Sequence, residues 1–135
     1  VPRLIAGIDT GTKTGLALWD VEKQCFEVIK TTSIIEAQEI LRYFNNRGLR
    51  EIWFEDARLR GGNAYTCKLQ GVGSVKRDGA IWQEFCEYHK ISYKRIKPEK
   101  GNTKWSAVYF KQQTGWTKRT DEHGRDAGVL VWKAR

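Results

Sequence analysis

Residues Leu4–Trp19, LIAGIDTGTKTGLALW, decide how the rest of the chain is read. An apolar run ends in Asp9, a turn passes through Gly11, and a second apolar run starts at Thr14. That pattern predicts two buried strands. A lone carboxylate at the end of a buried strand is a poor device for stability, because an unpaired buried charge is costly. Asp9 is therefore expected at the strand's mouth beside something positive, either a lysine or a metal ion.

Working outward, Cys25–Thr31 reads as a third strand, giving an antiparallel meander. Ser33–Asn46 is the clearest helix: Ser33 and Glu36 form a capping box, Ile34, Ala37, Ile40, Leu41 and Phe44 share one face, and Gly48 closes it. Glu51–Asp56 is a short strand with an apolar centre, expected parallel to the first strand through a right-handed crossover. A helix follows from about Ala64 to Lys90, interrupted by glycines at first and regular later through Ile81, Phe85 and Tyr88. Ile91–Ile96 is a fifth strand. Asn102–Gln113 is expected to be helical with Trp105, Val108, Tyr109 and Gln112 on one stripe, and Asp121–Lys133 with Ala127, Leu130, Val131 and Ala134 facing inward. The fold class is α/β: a five-stranded mixed sheet, three strands antiparallel and two parallel, with helices on both faces.

A chain of 135 residues makes one domain, residues 1–135, and its 40% hydrophobic content fits a globular protein. Lys and Arg number 24 against 16 Asp and Glu, a net charge of +8 that favours a polyanionic partner, nucleic acid above all. Cys25, Cys67 and Cys86 are odd in number and widely spaced, as in reduced thiols of a cytoplasmic protein. No apolar run reaches membrane-spanning length, and no signal-peptide pattern opens the chain.

The acids can now be placed. Asp9 and Glu55 end two strands expected to be parallel neighbours, which sets them side by side at the sheet's carboxyl edge. Asp56 points to the opposite face, and Glu55 has Arg58 as an alternative partner. His123 and Asp126 are spaced i, i+3 near the start of the last helix. Should that turn lie against Asp9, three carboxylates and an imidazole would converge, and their repulsion calls for a divalent cation. Hard oxygen donors with one histidine suit Mg²⁺ or Mn²⁺ better than zinc. Two such ions, roughly 3.5–4 Å apart, hydrolyse phosphodiesters. Beside a basic chain, this reads as a metal-dependent nuclease.

Asp9-Thr-Gly11 with Thr14-Gly15-x-Ala17, the strand-end Glu55 and His123-x-x-Asp126-Ala127 resemble the Holliday junction resolvases of the RuvC type, ribonuclease H-like nucleases. The similarity spans essentially the whole chain, and the short length is similar to phage or prophage branches. Asn63-Ala64 and Lys68–Gly73 resemble the opening of the family's long second helix, and Tyr93 with Lys97-Pro98 resembles the strand leading to its basic DNA-binding region. The resemblance implies Asp9, Glu55, His123 and Asp126 as ligands of a two-metal Mg²⁺ or Mn²⁺ site. It also implies an aromatic residue that stacks on junction bases, for which Tyr65 is available. Thr10 departs from the proline common after the first aspartate.

From Lys90 onward Glu99 is the lone acid before Asp121. Lys97, Lys100 and Lys104 are expected to contact the scissile strand, with Lys68, Lys76 and Arg77 as a second group. Gly71, Gly73 and Gly79 each cost about 1 kcal/mol in a helix interior, a cost that close approach of a phosphate or a sister helix would justify. The expected protein is a homodimer, joined through the second helix, that cuts four-way or branched DNA symmetrically. The alternatives are a hydrolase of RNA–DNA hybrids and a branched-DNA binding protein without turnover.

Overall fold

The computed structural model describes residues 2–59, 69–98 and 104–135. Strands β1 (Leu4–Asp9), β2 (Thr14–Asp20) and β3 (Cys25–Thr32) form the antiparallel meander. Helix α1 (Ile34–Asn45) crosses over to β4 (Leu49–Glu55), which pairs parallel to β1. A short 3₁₀ turn (Ala57–Leu59) precedes α2 (Leu69–His89), and β5 (Ser92–Ile96) adds parallel to β4. Helices α3 (Ala107–Thr114) and α4 (Glu122–Ala134) complete the chain. The strand order is β3-β2-β1-β4-β5, the mixed α/β sheet expected from the sequence.

Strand alternation sorts the core into two layers. Ala6, Ile8, Leu16, Leu18, Ile52 and Phe54 face α1 and α2, where they meet Ala37, Leu41, Trp82, Phe85 and Cys86. Ala17, Trp19 and Trp53 face the other way, onto Phe110 of α3 and Ala127 and Val131 of α4. A register shift between Leu18 and Trp19 lets Phe26 and Ile29 both reach this second layer. At β3's end, the Ser33 hydroxyl accepts from the Glu36 N–H at 3.1 Å, so the expected capping residue starts α1.

Several expectations need correction. The strand read as Glu51–Asp56 starts two residues earlier. The α2 core face is Trp82, Phe85 and Cys86, while Tyr88 is 80% exposed. Helix α3 starts at Ala107, because Ser106 caps it through the Tyr109 N–H. That shift invalidates the expected stripe: Val108 and Tyr109 are exposed, and Phe110 is the buried residue. On α4 the inward face is Gly124, Ala127, Gly128 and Val131, and Ala134 is exposed. The α2 segment before Leu69, with Cys67, lies outside the described residues.

Gly79 has an explanation within the chain. A side chain there would collide with the Asp56 carboxylate, so the glycine clears room for that buried group rather than for a phosphate or sister helix. Gly73 has open space around it.

Candidate active site

Two glycines let α4 lie unusually close to the sheet. A Cβ at Gly7 would strike the Ala127 backbone and Val131, and one at Gly15 would strike the carbonyl of His123. On the helix, Gly124 and Gly128 seat against Ile29 and Phe110. The first turn of α4 is anchored further by its Gly124 N–H, which donates to the Thr31 hydroxyl at 3.2 Å. Arg125 ties the same turn to the preceding chain, donating to the carbonyls of Trp105 and Thr120 at 3.1 and 2.8 Å.

This docking carries His123 to the end of β1. Its Nδ1 lies 2.9 Å from Asp9 Oδ2. An ionised carboxylate only accepts, so the imidazole donates there and Nε2 is left as the ring's other nitrogen. Burial pushes the Asp9 carboxyl up; the His123 bond pulls it back, and the charge of Asp126 pushes it up again. The net direction is upward, with burial the largest cause.

Asp126, one turn along α4, receives the ammonium of Lys104 at 2.9 Å; the same ammonium meets Glu122 at 2.7 Å. These two carboxylates hold the lysine well above its usual pKa. Glu55 ends β4 on the same face as Asp9, half-buried; Ile8 pairs with Phe54, so the two acids follow in step at the carboxyl edge. Arg58 does not take Glu55. It pairs with Asp56 on the opposite face, where Arg95 also reaches Asp56 at 3.4 Å. Arg125 does not take Asp126 either, since its guanidinium binds the carbonyls named above.

Among the described residues, no three histidine, cysteine, aspartate or glutamate side chains stand together as a ready metal cage. The donor chemistry nevertheless fits hard divalent ions: strand-end carboxylates, one imidazole, and a carboxylate now held by an exchangeable lysine. Among protein groups, Asp9 is met by an imidazole and Asp126 by a lysine. Lys104 was expected as a DNA contact and stands inside the acidic cluster. Glu122, its second partner, was missed, although an acid beside His123 in the first helical turn was a usable sign.

The other expected contacts divide. Lys97 is exposed just past β5, and Lys76 and Arg77 are exposed on α2. Both precede Gly79, which packs on Asp56 beyond β4, so they stand towards the sheet's carboxyl edge. Tyr65, Lys68 and Lys100 lie outside the described residues.

No protein-family model and no curated protein matches the sequence. Solved structures do match. Thermus thermophilus RuvC in complex with Holliday junction substrate superposes with a TM-score of 0.61 at 14% identity, covering 95% of this chain and 89% of that one. A second Thermus thermophilus RuvC structure gives 0.60 at 14% identity, covering 94% and 90%. At that coverage, and with the same mixed five-stranded sheet, this chain has the ribonuclease H-like fold of RuvC.

Proposed function

We propose that this protein is a Mg²⁺- or Mn²⁺-dependent endodeoxyribonuclease, a single RuvC-like domain acting in the cytoplasm as a homodimer. Its substrate is four-way or otherwise branched DNA, nicked on opposing strands. The observation that carries the reading is the 2.9 Å bond between His123 and Asp9, which brings the two halves of the expected cluster together.

In this reading Asp9, Glu55, His123 and Asp126 hold the divalent ions, which when bound activate water and stabilise the departing oxygen. His123 fixes the Asp9 carboxylate through Nδ1 and keeps Nε2 for a ligand or a proton. Lys104 balances Asp126 and Glu122 until a phosphate arrives, then exchanges a carboxylate for the scissile phosphate. Water adds to phosphorus, the bond to O3′ breaks, and the products carry 5′-phosphate and 3′-hydroxyl ends. Lys97, Lys100, Lys68, Lys76 and Arg77 follow the DNA backbone, Tyr65 stacks at the branch, and α2 forms the dimer contact.

The test is a cleavage panel of four-way, three-way, hybrid and linear substrates with each metal. Wild type should nick the four-way junction fastest, and Asp9→Asn should stop cleavage while leaving junction binding in gel shift. Cleavage that survives Asp9→Asn would overturn the site, and faster cutting of the RNA–DNA hybrid would overturn the substrate.

A further inference from the structure

The longest basic stretch free of acids in the described chain is Lys104–Thr120, and the function proposed above uses only its first residue. Beyond α3 it builds a concave feature. Gly115 takes a left-handed conformation, φ 77°, and reverses the chain. The Thr114 hydroxyl then accepts from the Trp116 N–H at 3.2 Å, holding that residue's backbone to the end of α3. Together α3 and residues 116–120 line an open cavity of about 480 Å³ whose wall includes Val108, Phe110, Lys111, Trp116, Lys118 and Arg119.

Two features of this cavity point to one kind of ligand. Lys111, Lys118 and Arg119 make no ion pair among the described residues, and no acid lines the wall. The wall is part aromatic, with Lys118 5.6 Å from the centre of the Trp116 ring. Cations beside an aromatic wall are the chemistry of single-stranded nucleic acid, whose phosphates and base faces need both. A concave wall also suits a base freed from its pair better than a duplex backbone.

We propose that this cavity receives an unpaired nucleotide of a DNA strand, with Lys118 and Arg119 on its phosphate and Trp116 against its base. It lies next to the candidate active site, since Thr120 is bonded to Arg125 of α4 and stands three residues before His123. The choice of DNA rests on the nuclease reading. The cavity would hold the strand where pairing is broken at a branch.

The test measures anisotropy of labelled oligothymidine, with a chelator present so that no cutting occurs, against a blunt duplex of equal length. Lys118→Gln/Arg119→Gln should weaken oligothymidine binding roughly tenfold and flatten its log–log salt slope by about 1.4. Trp116→Leu should weaken it roughly fivefold with the slope unchanged. Duplex binding should change less than about twofold in each variant. Equal losses on duplex and single strand would reduce the cavity to a general backbone track and overturn the proposal, as would no loss from the double variant. Competition by inorganic phosphate matching that of oligothymidine would leave only an anion site, and tighter binding of oligouridine would overturn the assignment to DNA. The double variant changes exposed side chains and keeps the test readable if Trp116→Leu folds poorly. A failure of the nuclease reading shows in the cleavage panel and leaves these binding results standing.

Discussion

Asp9 and Asp56 both lie where a central strand reaches the carboxyl edge, yet the protein treats them in opposite ways. Asp56 is fully buried and saturated. Arg58 Nη2 meets it at 2.6 Å, Arg95 at 3.4 Å, and the Arg58 N–H donates at 3.0 Å. Burial pushes this carboxyl up, but the Arg58 bonds outweigh burial and hold it below the usual range. Asp9 has one imidazole, a neighbouring Asp126, and a carboxyl held above the usual range. One carboxylate is held ionised by guanidinium groups; the other is desolvated with a single imidazole on it, the kind of perturbed group found at functional sites.

The largest expected effect comes from the Asp9 side. Asp9→Asn should lower junction cleavage by about a thousandfold or more, about 4 kcal/mol of activation free energy. Its urea midpoint should be unchanged or higher. Asp56→Asn should do the reverse, costing about 2–4 kcal/mol in urea unfolding because Arg58 and Arg95 lose their shared partner, with cleavage by the folded fraction retained. The range is set below that of a wholly buried pair because the Arg58 side chain is 31% exposed. Gly15→Ala is the intermediate case. Overpacking against the His123 carbonyl should cost about 1–3 kcal/mol and also lower cleavage, since the displaced turn carries a site residue. If Gly15→Ala lost stability alone, the close seat of α4 would have no role in the chemistry.

The smallest effect sharpens the contrast by its sign. Asp56 has a lowered folded pKa, so its contribution is full above the ordinary carboxylate pKa of about 3.9 and is lost as pH falls through the folded value. Asp9 has a raised folded pKa. Its contribution is full below that ordinary value and is lost as pH rises through the folded one. Urea midpoints between about pH 2.5 and 6 should therefore fall less steeply towards acid in Asp56→Asn than in wild type, and more steeply in Asp9→Asn. Identical slopes in all three proteins would break the distinction.

How far the site could be read in advance depends on the range of the forces involved. Alternation along β1 and β4 was enough to put Asp9 and Glu55 on one face and Asp56 on the other, because the pleat repeats every second residue. The i, i+3 spacing put His123 and Asp126 together for the same local reason. Lys104 was different: it sits 22 residues before Asp126 in a mostly polar stretch, and no periodicity announces that it folds back onto α4. Phe110 was missed because α3 is a short helix of eight residues, too short for its stripe to outweigh a misplaced start. Arg58 had two adjacent acids to choose from, and the pleat made the choice.

The contact between His123 and Asp9 joins positions 114 apart, and α4 follows all five strands along the chain. A chain emerging from the ribosome carries both strand-end acids long before it carries the imidazole. Assembly of the cluster therefore waits for α4, so a copy interrupted before that helix would lack half of the proposed site.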